Sequence, residues 1–200
     1  MGVHASVALV LSLGVSVFAQ EQAFRPDRDQ TAMGGQISGV VTVRSLGQNP
    51  PAKVVKLVKK AQRLSDKDRH KEAIVLLKEA LAGSPDYLVA LNMLGVEYDQ
   101  TGAFDLAAGE FEKMTRVDPA CAVGYTNLGV EYCKARRFPD AEMLARRALV
   151  AEPTYDRAHF LLAMSLLMRR QRVAEARIHL NEAARTMPEA NQVLAILNSR

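Results

Sequence analysis

Between residues 54 and 190 the apolar positions recur at helical spacing. Leu91, Leu94, Gly95 and Tyr98 stand at i, i+3, i+4 and i+7, which is one face of a helix. Ala107, Phe111 and Met114 stand at i, i+4 and i+7 on the next helix. Gly102 between the two reads as a C-cap glycine. Asp118-Pro119 reads as an N-cap acid followed by proline at the first position of another helix. The pattern then repeats. Leu94-Gly95-Val96-Glu97-Tyr98 returns letter for letter as Leu128-Gly129-Val130-Glu131-Tyr132, 34 residues later. Ala61, Gly95, Gly129 and Ala163 are all small at that same step. Ala73, Ala107 and Ala141 hold another position, with Ala176 following after one inserted residue. Leu77, Phe111, Ala145 and Leu180 form a third column, and Ala80, Met114, Ala148 and Ala183 a fourth. Pro85, Pro119, Pro153 and Pro188 close the units. A fixed period of this size predicts an all-α solenoid of four helix-turn-helix units. Pro188 starts a last helix with Val193, Leu194 and Leu197 apolar and Asn191, Gln192 and Asn198 polar. That is the composition of a C-terminal capping helix.

Upstream of the repeats the pattern changes twice. Residues 3–19 are apolar and contain no Lys, Arg, Asp or Glu, and the charged run Glu21 to Asp29 follows. This predicts a signal peptide cut near Ala19, with small residues before the cut, and a mature protein in the periplasm or secreted. An uncleaved anchor is the alternative, and only then is membrane contact expected. Residues 20–52 are polar and rich in turn formers, the composition of a flexible linker. Within it, Ile37 to Leu46 is rich in β-formers, and one strand cannot stand alone. It is expected to be disordered or to dock along the solenoid.

The columns of large residue, Leu-Gly, Tyr, Ala, Phe, Ala and Pro resemble the tetratricopeptide repeat. The third unit carries the pattern most fully, in Tyr125, Leu128, Gly129, Tyr132, Ala141, Ala148 and Pro153. The first has Lys60-Ala61 where Leu-Gly is usual, and the fourth has His159 and Leu166 at the large-residue and Tyr positions. The chain also resembles exported bacterial members of the family. Repeats are placed at 53–87, 88–121, 122–155 and 156–188, with the cap at 189–200. The resemblance implies that first helices line a concave, right-handed groove through fixed repeat positions. Those are positions 2, 5, 9 and 12 of each repeat, and ten of the sixteen residues there are apolar. An apolar strip marks an interaction site. The expected peptide-binding residues are Val89, Asn92, Val96, Val123, Thr126, Asn127, Val130, Arg157, Phe160 and Met164. Phe160 and Met164 would anchor an apolar or amphipathic segment, and Asn92 and Asn127 would bond its backbone. Val96 and Leu161 stand where a carboxylate clamp would need polar residues, so no clamp is expected. The strip could instead be filled by Ile37 to Leu46 or by a second copy, which is self-association.

Composition adds mainly exclusions. A formal charge of +4 is mild for 200 residues and does not argue for nucleic acid. There is no phosphate loop, nucleophile elbow or His-Glu-x-x-His pair, and His70, His159 and His179 lack metal spacing. His159 sits at a repeat core position and reads as packed. Glu97 and Glu131 sit at equivalent repeat positions, which suggests a shared structural role in place of acid–base chemistry. Cys121 and Cys133 lie on one helix about 18 Å apart, too far to pair with each other. No catalytic residue, metal or cofactor is expected. The predicted function is a non-enzymatic protein-interaction scaffold outside the cytoplasm, with a protein or peptide partner. The alternative is an envelope structural module that holds anionic polymers or lipid through Arg136-Arg137, Arg146-Arg147 and Arg169-Arg170.

Overall fold

The computed structural model describes residues 48–170 and 172–199. The expected signal peptide, its cleavage site and the Ile37–Leu46 segment lie outside them. Among the described residues there are nine α-helices and no strand. They are α1 (Ala52–Ser65), α2 (His70–Gly83), α3 (Leu88–Gln100), α4 (Phe104–Val117), α5 (Ala122–Lys134), α6 (Phe138–Ala151), α7 (Asp156–Met168), α8 (Val173–Ala183) and α9 (Pro188–Asn198). The class is all-α, as the periodicity predicts. Contacts divide the described chain into two compact units, residues 48–124 and 125–199.

In the first unit α1 packs on α2, α2 on α3 and α3 on α4. The columns read from the sequence are the packed faces. Val54, Val58 and Ala61 of α1, Ala73, Leu77 and Ala80 of α2, and Ala107, Phe111 and Met114 of α4 are all buried. A Cβ on Gly95 would stand 2.5 Å from the Phe111 ring, closer than any side chain tolerates. The small column on the first helix therefore exists to admit the large column of the second. In the second unit α6 packs on α7, α7 on α8 and α8 on α9. There the close neighbour of Gly129 is Leu161 of α7, at 2.5 Å from a Cβ, ahead of Leu144 of α6 at 3.5 Å. The capping helix buries Ala190 and Val193 and leaves Leu194 and Leu197 half-buried. Arg177 of α8 donates to the Leu197 carbonyl at 2.7 Å and to Asn198 Oδ1.

Both turn types recur with the period. Within repeats, Arg69 N–H bonds Leu64 O, Ala103 N–H bonds Tyr98 O and Arg137 N–H bonds Tyr132 O, at 2.8–2.9 Å. This is the 6→1 bond of a Schellman turn. Left-handed residues recur at Asp68 (φ 57°), Gly102 (φ 77°), Arg136 (φ 59°) and Arg170 (φ 54°). These four stand at the same 34-residue step, and Arg172 (φ 49°) adds a fifth just before α8. Between repeats the proline sits second in a tight turn. Ser84 O accepts from Tyr87 N–H, Asp118 O from Cys121 N–H and Glu152 O from Tyr155 N–H, at 3.0–3.2 Å. Pro119 is thus not the first residue of α5, which begins at Ala122. Proline pre-sets the second position of such a turn as readily as a first helical residue. Only Pro188 opens its helix directly. Ahead of α1, Gln48 is already ordered into the first unit. Its amide donates to Asp86 O at 2.5 Å and its carbonyl accepts from Leu88 N–H at 3.1 Å.

Candidate functional site

The ten expected groove residues fall on three first helices. In the first unit, α3 carries Val89, Asn92 and Val96, and the start of α5 carries Val123. All four are half-buried, so this unit presents partly open apolar positions on its first helices. In the second unit, α5 carries Thr126, Asn127 and Val130, and α7 carries Arg157, Phe160 and Met164. Arg157 is half-buried. Thr126 and Asn127 are buried, Val130 is fully so, and Phe160 and Met164 are 1% and 3% exposed. Those three apolar residues belong to one cluster with Leu161, Leu162, Leu166 and Leu180. Their burial follows from α7 itself, which is apolar around nearly its whole circumference from Ala158 to Leu167. The two anchor positions are therefore closed to solvent.

Polar groups in and near these helices are structurally engaged. Glu97, 2% exposed, accepts a 2.8 Å hydrogen bond from His70 Nδ1 at the start of α2. Its repeat equivalent Glu131 is also buried and accepts from Lys134 Nζ at 3.0 Å. Buried carboxylates at equivalent positions, each held by a cation or an imidazole, fit the structural role expected for them. Cys133 lies 3.7 Å from Ser165 Oγ, and burial pushes its thiol up to about 11 despite that contact. A thiol so far from ionisation is a poor nucleophile. Cys121 is buried, and both cysteines are free.

Two arrangements were not visible in the sequence. His159 and His179, from α7 and α8, stack with centroids 5.1 Å apart and Nδ1 atoms 2.8 Å apart. His159 Nε2–H donates to Pro153 O at 2.9 Å, so in the neutral ring its Nδ1 accepts and His179 Nδ1–H donates. His159 is packed, as expected, but has a titratable partner. The second arrangement centres on Glu142 of α6, 7% exposed, which is bonded by Arg146, Arg169 and Arg172. Burial alone would raise its pKa, but the hydrogen bonds and charges of Arg172 and Arg146 outweigh it and hold the carboxyl below its ordinary value. The arginine doublets hid this network, because Arg169 and Arg172 lie 27 and 30 residues from Glu142 in the chain. No group of three metal-ligating side chains exists among the described residues, and no described helix is long and apolar enough to cross a membrane.

The family model described as tetratricopeptide repeat matches residues 126–191. A comparison with curated proteins returned no match. Among solved structures, the fold is similar to a double mutant of MamA from strain RS-1, with TM-score 0.65 and 20% identity over 76% of this chain and 86% of that one. It is similar to TTC0263, a thermophilic repeat protein of Thermus thermophilus, with TM-score 0.58 and 19% identity over 65% and 72%. It is also similar to the first repeat domain of Spaghetti (RPAP3), bound there to the HSP90 peptide SRMEEVD, with TM-score 0.56 and 17% identity over 60% and 94%.

Proposed function

We infer from the tetratricopeptide repeat match over residues 126–191 and the repeat fold that the chain is a non-enzymatic protein-interaction scaffold, and that its first helices hold an apolar or amphipathic peptide segment. The observation that carries this reading is the half-buried set Val89, Asn92, Val96 and Val123. The three valines are partly open apolar positions of the kind that seats an apolar side chain of a peptide. The peptide held by the structurally similar Spaghetti domain supports the class of ligand. The acidic peptide of that complex does not transfer, because Val96 and Leu161 replace polar clamp positions. Docking begins at α3 and the start of α5. Contact at Val130, Phe160 and Met164 requires those positions to open. The working location is outside the cytoplasm, supported by the uncharged apolar residues 3–19.

The test is partner capture by the full-length protein and by its Val89→Glu/Val96→Glu variant. These half-buried sites accept a charge with less damage to the fold than Val130 or Met164 would. Loss of capture with unchanged helical circular dichroism supports the strip as the binding surface. Equal capture by both proteins places the binding elsewhere.

A further inference from the structure

We propose that the second unit carries a separate docking surface on α6 and the α7–α8 turn, which takes an acidic polypeptide segment bearing an apolar side chain. The surface is an open depression of about 450 Å³ lined by Glu142, Met143, Arg146, Arg147, Val150 and Arg169. It lies on a second helix, so it does not depend on the first-helix reading above.

The charge balance at this place is one-sided. Among the described residues, Arg146, Arg169 and Arg172 pair with Glu142 and Glu175. Both carboxylates are already committed within the chain. Glu142 accepts from Arg169 at 2.7 Å, from Arg146 at 3.1 Å and from Arg172. Glu175 accepts from Arg146 at 2.5 Å and pairs with Arg172 at 3.6 Å. Arg147 and Arg170 make no ion pair among the described residues, and both are exposed. Three guanidinium groups converge on one carboxylate and Arg147 lines the same depression, so the field favours an added anion. Guanidinium forks match carboxylates in particular.

The apolar lining decides which anion. Met143 is 48% exposed and Val150 83%, and both line the depression with Arg146, Arg147 and Arg169. A polyanion without side chains would leave them unused. A nucleic acid strand would need aromatic stacking platforms, and the lining has none. A flat lipid surface would bridge a concave site without filling it. A peptide fits both features, with a carboxylate on Arg147 and Arg169 and an apolar side chain between Met143 and Val150.

The experiment measures fluorescence anisotropy of a labelled peptide of alternating glutamate and leucine on the full-length protein. A glutamine–leucine peptide and anionic phosphatidylserine vesicles serve as parallel probes. Binding of the glutamate peptide is expected to weaken about 10-fold when glutamate is replaced by glutamine, equivalent to about 1.4 kcal/mol. Arg147→Glu and Met143→Ser should each weaken it with circular dichroism unchanged, and Arg147→Gln should act in the same direction as Arg147→Glu. Binding should also fall as salt rises. Equal affinity for the two peptides, or no effect of either Arg147 variant, overturns the proposal. So does Arg147-dependent binding to the vesicles with none to the peptide, which would assign the surface to membranes.

Discussion

The period is written most sharply at single residues with no freedom to change. A side chain at Gly95 meets the Phe111 ring, and one at Gly129 meets Leu161. Gly129→Leu is expected to cost roughly 1–3 kcal/mol through overpacking, read as a lower urea midpoint, and an unchanged midpoint contradicts it. The small column was legible in the sequence because packing forbids anything larger. The left-handed turn position was legible only at Gly102, because Asp68, Arg136 and Arg170 hide the same backbone behind ordinary residues. A non-glycine residue there carries a steric penalty. Arg136→Gly is expected to raise stability by about 1 kcal/mol, measured by the same midpoint, and a fall would mean the Arg136 side chain contributes more than its strain costs.

Helix pairing explains why the expected strip divides. On α3 and at the start of α5, Val89, Val96 and Val123 alternate with residues of the packed face and stay partly open. On α7, apolar residues continue on every side, so Phe160 and Met164 join the cluster of Leu161 and Leu166. Repeat position alone could not distinguish the two cases, since it fixes where a residue stands and not what surrounds it. The α7–α8 pair also carries a pH dependence. Burial first, and then the neighbouring His159 and Arg146, hold His179 below its ordinary value of 6.5, against the opposing pull of Glu175 and Glu182. The unfolded chain therefore binds more protons than the folded one just below 6.5. The stabilisation is fully present above that pH and is lost as pH falls through it. The urea midpoint should drop between about pH 7.5 and pH 5.5, and His179→Gln should flatten that slope. An unaltered slope in the variant would assign the loss to other groups.

For the molecule as a whole, fold class was readable because four columns repeat across 34-residue steps, and packing at Ala73, Phe111, Ala148 and Leu180 is what each column encodes. The arginine network around Glu142 was unreadable, since folding alone brings Arg146, Arg169 and Arg172 together. The proposed location rests on residues 3–19, and if it holds, mass spectrometry of the protein purified from its native source should find an N-terminus near Gln20. Recovery of intact chain beginning at Met1 in soluble cytoplasm contradicts it. The central claim is that partners dock on first helices. Its most direct test places a photo-crosslinking amino acid at Val96 of α3 in one protein and at Leu106, an exposed second-helix residue of the same unit, in another. The account predicts partner crosslinks from position 96 and few from position 106. Crosslinks from 106 with none from 96, in folded protein, would contradict it.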